Sequence, residues 1–371
     1  WTTTNPSGHP IVKGGLRFSE LVERKSGGKM VVRLYSGGVL GGDAQVLTSL
    51  QEGSIDFTTM NTGILQTLAK EFAVVDFPFL FSDAKEADAI MDGPVGQQLA
   101  DKLPDKGLVN LAYYDLGFRN LTNSKRPVRK LEDLQGMSIR VIQSPIYIDA
   151  FTALGATAVP MAFSEVYFAL EQKKIDGQEN PFSVIAANKL DSVQKYLTVT
   201  RHIYNPQSFL MSRKTWDRLN KEEREIIVAA ARESAVFQRK VSRDAQERSL
   251  ASIRSSMEVN ELSPEEIGRI RDKLKPVTEK YSASIGQEFA KFVFTEIEKL
   301  RNIEKYTSGK FRSFELDICY PVAWGKDGIE ARLASLAADA EDAVRSGANI
   351  LIVSDRKVSA EQVAIPALLA T

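Results

Sequence analysis

The sequence predicts an α/β protein of two α/β units followed by one long helix. Three observations carry that prediction. Short β-rich runs alternate with amphipathic segments from Ile11 to Pro160. From Lys221 to Met257 no glycine or proline intervenes, and Ile226, Ala230, Phe237 and Val241 keep one helical face. The 371 residues, 43% apolar and 26% charged, have the composition of an ordinary globular chain of two to three domains.

The elements follow in order. Gly15 to Val22 has apolar residues at helical spacing and is stopped by Ser26-Gly27-Gly28. Lys29 to Tyr35 reads as a short strand, the glycine turn at 37–42 feeds a helix with Asp43 as N-cap, and Gly53 to Thr59 reads as the next strand. Such alternation implies a mainly parallel sheet. Further strands are expected at Leu108 to Tyr114, Ser138 to Ile142 and Ala156 to Pro160. Ser263-Pro264 is a cap followed by a first-turn proline, and Ser284 to Leu300 gives a final amphipathic helix. From about Ile303 the composition shifts. The strand Leu316 to Pro321, the helix Gly328 to Ser346 and the strand Asn349 to Asp355 are too few to close an independent α/β layer.

Composition also excludes functions. The 48 basic and 48 acidic side chains give no net field to attract nucleic acid or an anionic membrane. One cysteine, Cys319, and two histidines, His9 and His202, supply neither a disulfide nor a zinc cage, so a transition-metal enzyme is not expected; no cofactor and no metal ligand is assigned, and the sequence leaves metal dependence open. No run of about 18 apolar residues could span a bilayer. The first residue is Trp1 rather than Met, compatible with a removed signal peptide that this chain does not contain.

Catalytic motifs are wanting. The glycine turn at 37–42 lacks both the Lys-Ser/Thr of a phosphate loop and the spacing of a dinucleotide turn, and no nucleophile elbow occurs. No catalytic residue is assigned. Better signals are Arg119 and Arg140, each within a short apolar β-run, where a buried guanidinium requires an anionic partner. That partner is either an internal acid or a bound carboxylate. Asp176 to Pro181 adds a polar cluster that fits a loop or a ligand-facing rim.

Val159-Pro160-Met161-Ala162-Phe163-Ser164-Glu165-Val166-Tyr167 and Ile175-Asp176-Gly177-Gln178-Glu179-Asn180-Pro181 resemble the solute-binding proteins of tripartite (TRAP) transporters, the DctP family. Lys25 to Lys29, Leu40 to Asp43, Gly53 to Asp56 and Phe77 to Phe81 extend the resemblance in the same order, over about residues 1–303. It implies a two-lobed, periplasmic-binding-protein-like α/β fold, with lobe I from 1–118 and 206–250 and lobe II from 119–205 and 251–303. The long helix would brace both. It further implies that Arg140 forms a paired salt bridge with a ligand carboxylate, with Arg119 a second ligand-facing arginine, Asn180 reaching the carboxylate and Phe163 closing over the ligand. Asn61, and Asn5, would read the rest of the molecule. The implied protein is a periplasmic, monomeric, non-enzymatic carrier that closes on a small carboxylate and hands it to membrane permease subunits. Asn61 and Ile64 argue against the sialic-acid branch. A uronate or aldonate is the first expectation, with C4-dicarboxylates, 2-oxo acids and a sensor role as alternatives.

Two departures accompany the resemblance. Of the strand with which the family opens, only Trp1 to Thr4 remains. The tail, about residues 310–371, resembles a fragment of the central region of the glutamate synthase large subunit, through Leu316 to Val322, Gly328 to Ala331, Ser346 to Arg356 and Ala364 to Thr371. It has no amidotransferase nucleophile, flavin site or iron–sulfur cysteines, so an enzyme of glutamate metabolism is not expected. Residues 304–371 are read as a non-functional fragment joined to the binder by a fusion, an assembly join or an artificial chimera.

Overall fold

The computed structural model describes residues 1–302, 313–317, 319–321, 325–345, 350–354 and 362–364. The chain divides into two compact units, Trp1–Val293 and Phe294–Thr371. The strands of the first are β1 (Phe57–Asn61), β2 (Leu108–Phe118), β3 (Asn120–Asn123), β4 (Ser138–Val141), β5 (Thr157–Pro160), β6 (Gly177–Asn180), β7 (Tyr196–Val199), β8 (Tyr204–Ser212) and β9 (Glu258–Glu261).

These strands form two sheets, one per lobe. The smaller is β1-β8-β2, and the larger runs β5-β4-β6-β3-β7-β9. Each has its own apolar core: Phe18, Tyr114 and Phe209 anchor the first, and Val166, Ile185 and Leu197 the second. The chain crosses between sheets at Arg119 and again through Thr200–Ile203, and the crossings are bonded together. The Arg119 amide donates to the Ile203 carbonyl at 2.8 Å, while Asn120 Oδ1 accepts from the amides of Thr200 and Arg201 at 3.1 Å each.

The helix Lys221–Ser256 begins in a capping box, Asn220 with Glu223, and runs 36 residues. Ile227, Ala230 and Ala231 bury in the first core, and Ile253 in the second. Gln246 Nε2 donates to the Leu116 carbonyl at 2.6 Å and to Ser183 Oγ at 2.9 Å, so one side chain spans both lobes. This is the expected brace.

Several expectations need correction. The sheets are not mainly parallel: the smaller is antiparallel throughout, with β1 and β2 both against β8, and the larger is mixed, with β3 antiparallel to β6 and β7 while β4 runs parallel to β5 and β6 and β7 parallel to β9. Lys29 to Tyr35 is extended but forms no ladder. Only Trp1–Thr3 runs beside it, giving one parallel bridge, Thr2 to Tyr35, while Thr2 also bridges Thr58. Asp43 is the first residue of helix Asp43–Glu52, whose N-cap is Gly42. The helix expected from Ser263-Pro264 is Pro264–Ile285, and the final helix, expected from Ser284, begins three residues later as Gln287–Arg301, after Gly286, whose φ of 103° a side chain would resist.

In the second unit β10 (Ser313–Asp317) pairs in parallel with β12 (Ile350–Ser354), and β11 (Cys319–Pro321) antiparallel with β13 (Gln362–Ala364). The helix expected from Gly328 spans Gly325–Arg345 and buries Leu336 and Ala343. The junction through Lys310, the segment Ser346 to Asn349 and residues 365–371 lie outside the described residues.

Candidate functional site

A cavity of about 470 Å³, including its opening to solvent, lies between the two lobes of the first unit. The structure brings all six sequence-predicted residues to its wall: Asn5, Asn61, Arg119, Arg140, Phe163 and Asn180. They arrive from separate elements. Asn61 ends β1, Arg140 lies in β4, Asn180 ends β6 and Phe163 opens the turn after β5. Strand ends supply side chains to the crevice, as in open α/β sheets generally.

Arg119 is satisfied from within. Its Nε donates to Glu179 Oε2, and Nη2 donates to Glu179 Oε1 at 2.8 Å and to the Glu179 carbonyl at 2.6 Å. Nη1 donates to Asn205 Oδ1 at 3.0 Å, and the guanidinium lies 5.5 Å from the Tyr147 ring centre. Arg119 and Glu179 are both about fully buried, at 1% and 0% exposure. Burial pushes the Glu179 carboxyl up, but Arg119 and His202 outweigh it and hold the group below the usual carboxylate range. Arg119 is the internally paired arginine of the two, although it also lines the cavity.

Arg140 is different. Its Nε and Nη2 both donate to the Met161 carbonyl, at 3.0 and 2.7 Å, and Phe163 lies under it at 5.8 Å. It has no ion-pair partner within 4 Å among the described residues, although it is only 3% exposed. Burial first, and then neighbouring Arg119, lower its pKa to about 10, which leaves it charged at neutral pH. A charge buried without an acid is costly, and an anion in the cavity would offset that cost. Nη1, with the second hydrogen of Nη2, can present two donors to one carboxylate.

The remaining predicted residues have partners of their own. Asn61 Nδ2 donates to Asn205 Oδ1 at 3.0 Å while its Oδ1 accepts from the Gly63 amide at 2.8 Å, so Asn61 also caps the following turn. Asn180 Nδ2 donates to Gln178 Oε1 at 2.7 Å, and Asn5 Nδ2 to Thr3 Oγ1 at 3.2 Å.

Sequence reasoning missed Asp43, Asn205 and Gln207, which also line the cavity. Asp43 was legible only as a helix start. Burial pushes its carboxyl up to about 6, against the pull of Arg140. Asn205 accepts from Arg119, Asn61 and Gln207 through Oδ1, yet its buried Nδ2 has no partner among the described residues. An unmet donor in a cavity wall seeks an acceptor. The Asn205-Pro206 pair carried a signal only of a change in chain character.

Among the described residues no group of three or more His, Cys, Asp or Glu side chains could hold a metal ion, and no helix is long and apolar enough to cross a membrane.

Residues 2–284 match the family described as bacterial extracellular solute-binding protein, family 7, DctP. Residues 242–371 match the glutamate synthase central domain, which overlaps the long helix and continues through the tail. A sugar acid binding protein from Advenella mimigardefordensis, solved with galactonate, is 42% identical, with a TM-score of 0.79 over 80% of this chain and 96% of that one. A TRAP periplasmic solute-binding protein from Ochrobactrum anthropi, with its C-terminus bound in its ligand pocket, is 50% identical, with a TM-score of 0.74 over 84% and 97%. Other solved relatives hold β-D-glucuronate, β-D-galacturonate or succinate. A solute-binding protein from Verminephrobacter eiseniae is 39% identical over 222 residues, 60% of this chain and 66% of that protein, and another curated relative is covered over 48% of its length. The matched family and structures are binding proteins rather than enzymes. With the interlobe cavity and its buried arginines, these matches establish that the chain belongs to the DctP family of bacterial extracellular solute-binding proteins.

Proposed function

We propose that this chain is the periplasmic component of a TRAP transporter and that it captures a sugar acid, an aldonate or uronate, for delivery to membrane permease subunits. One observation carries the reading: Arg140 is buried in the cavity wall with a carbonyl but no acid as partner. A ligand carboxylate supplies the missing anion, and Asn180 stands on the neighbouring strand to assist. The rest of the wall suits hydroxyl groups. Asn5, Asn61, Asn205 and Gln207 offer amides, and Asp43 accepts hydrogen bonds. Asp43 also repels a second carboxylate, which favours a polyhydroxy monoacid over a C4-dicarboxylate.

Capture by a clamp is a population shift, since a ligand touching both lobes stabilises their closed arrangement. The test is a thermal-shift screen of the full chain with D-galactonate, D-glucuronate, succinate and pyruvate. A ligand bound only by the native state raises stability by about 2.7 kcal/mol at 100 times Kd. A melting-temperature rise with a sugar acid, abolished in Arg140→Ala, supports the reading. A larger rise with succinate assigns the site to dicarboxylates, and no rise with any acid rejects carboxylate capture.

A further inference from the structure

Two hydrogen bonds, one buried and one partly buried, join the lobes behind the cavity wall. Tyr147, on helix Pro145–Ala153 beside the larger sheet, donates its hydroxyl to Asp76 Oδ1 at 3.3 Å, and Asp76 lies in the helical turn Lys70–Asp76 after β1 of the smaller sheet. Next to it Gln66 Nε2 donates to Ser144 Oγ at 2.6 Å. Asp76 is 1% exposed and Tyr147 0%, and none of the four residues lines the cavity. The pairing is close. The Asp76 carboxyl lies against Gly63, where an added Cβ would come within 1.7 Å of Oδ2.

We propose that Asp76–Tyr147, with Gln66–Ser144, is a latch that fixes how readily the lobes close, and that closing it takes up a proton at Asp76. The inference rests on the reading of the chain as a clamp, and it concerns residues that never touch the ligand. Its physical basis is burial. The Tyr147 ring belongs to the opposite lobe, so separating the lobes uncovers the Asp76 carboxyl and removes its hydrogen-bond donor.

The charges acting on Asp76 are few. Arg119, from the crossing, favours the carboxylate, and so does the hydroxyl of Tyr147, whereas Glu179 on β6 opposes it. Of the neighbouring groups, Arg271 on helix Pro264–Ile285 lies over Phe79, Tyr281 donates to Asp149, and the Tyr204 ring on β8 packs on Phe81 and Phe118. Burial is the largest influence and pushes the carboxyl, covered here by Tyr147, up to about 7. Uncovered, it should return toward the ordinary value of about 3.9. A group whose pKa is higher in the closed state favours closure below its open-state pKa, and that advantage is lost as pH rises through the closed-state value. Closure should therefore strengthen as pH falls from 8 to 5.5, by about tenfold or more.

The experiment measures lobe separation by pulsed electron paramagnetic resonance on the full chain, spin-labelled at the exposed positions Asp105 and Glu171, without ligand and with D-galactonate, at pH 8 and 5.5. The expected result is a closed fraction that rises at low pH in the parent chain, stays high at both pH values in Asp76→Asn, and falls in Tyr147→Phe. Asn keeps an acceptor for Tyr147 and mimics the neutral acid. Asp43 also titrates in this range but is present in every sample, so the difference between parent and Asp76→Asn isolates Asp76. A closed fraction indifferent to pH, or an undiminished pH response in Asp76→Asn, overturns the proposal. Failure of galactonate to add to the closed fraction rejects that ligand instead, because the latch is read from the ligand-free samples.

Discussion

The surroundings of Arg119 and Arg140 show two solutions to one problem, a guanidinium buried beside a crevice. Around Arg119 the chain supplies everything: a two-pronged carboxylate from Glu179, a second bond to its carbonyl and the Asn205 oxygen. Around Arg140 it supplies one carbonyl and an aromatic ring. The first region is complete without a ligand and holds the lobe crossing together. The second is incomplete, and that incompleteness is what makes it a recognition site. A buried arginine thus reports function only once its counter-ion is located.

The comparison can be broken most severely at the completed region. Arg119→Met should destabilise the first unit by about 3–5 kcal/mol, because Glu179 is left buried with only His202, whose Nε2 lies 3.1 Å from Oε2, in place of the two-pronged arginine. Denaturant unfolding checks this, and a loss below about 1 kcal/mol would mean that the pair is dispensable. Arg140→Ala should do the opposite, with unfolding changed little and D-galactonate affinity lowered at least about 100-fold by calorimetry. Arg140→Lys should recover little of it, since a point charge cannot form the two-pronged contact. If affinity barely changes in either variant, the carboxylate does not sit there.

Asp43 sharpens the contrast from the other side of the cavity. Asp43→Asn removes the like charge and should improve succinate binding by about three- to tenfold at neutral pH, and D-galactonate binding by less. The carboxyl titrates near 6, and a bound anion favours its neutral form. A ligand anion should therefore bind more tightly as pH falls through about 6, and Asp43→Asn should remove that part of the pH dependence in a calorimetric series. The smallest effect is expected at Phe163. Phe163→Leu loses the aromatic face under Arg140 and should cost about two- to fivefold in affinity, with the melting temperature of the unliganded chain nearly unchanged.

The cavity wall divides residues by the kind of signal they carry. Arg119 and Arg140 stood out because charge inside an apolar β-run is unusual in a single sequence, whatever surrounds it. Asn61, Phe163 and Asn5 were legible only through resemblance to a family, and Asn180 otherwise only as part of a polar cluster, since an asparagine near a strand end has many ordinary uses. Asn205 and Gln207 were invisible for the same reason. They lie on β8, which pairs with strands about 150 and 90 positions earlier in the chain. Asp43 was seen, but as a helix start. Its role depends on Arg140, which another lobe delivers.

By itself the sequence determined what local rules govern. Apolar spacing and the absence of glycine and proline specified the long helix, glycine turns closed the short elements, and an equal count of acids and bases excluded polyanions as partners. It also determined that two arginines needed anions. Only the tertiary structure decided which arginine found its acid inside the protein, that the sheets are not mainly parallel, and that Asp76 and Tyr147 meet across the lobes. The reason is physical: counter-ion choice, strand direction and burial are set by contacts between residues far apart in sequence, and no local pattern of charge or hydropathy records which of them will meet.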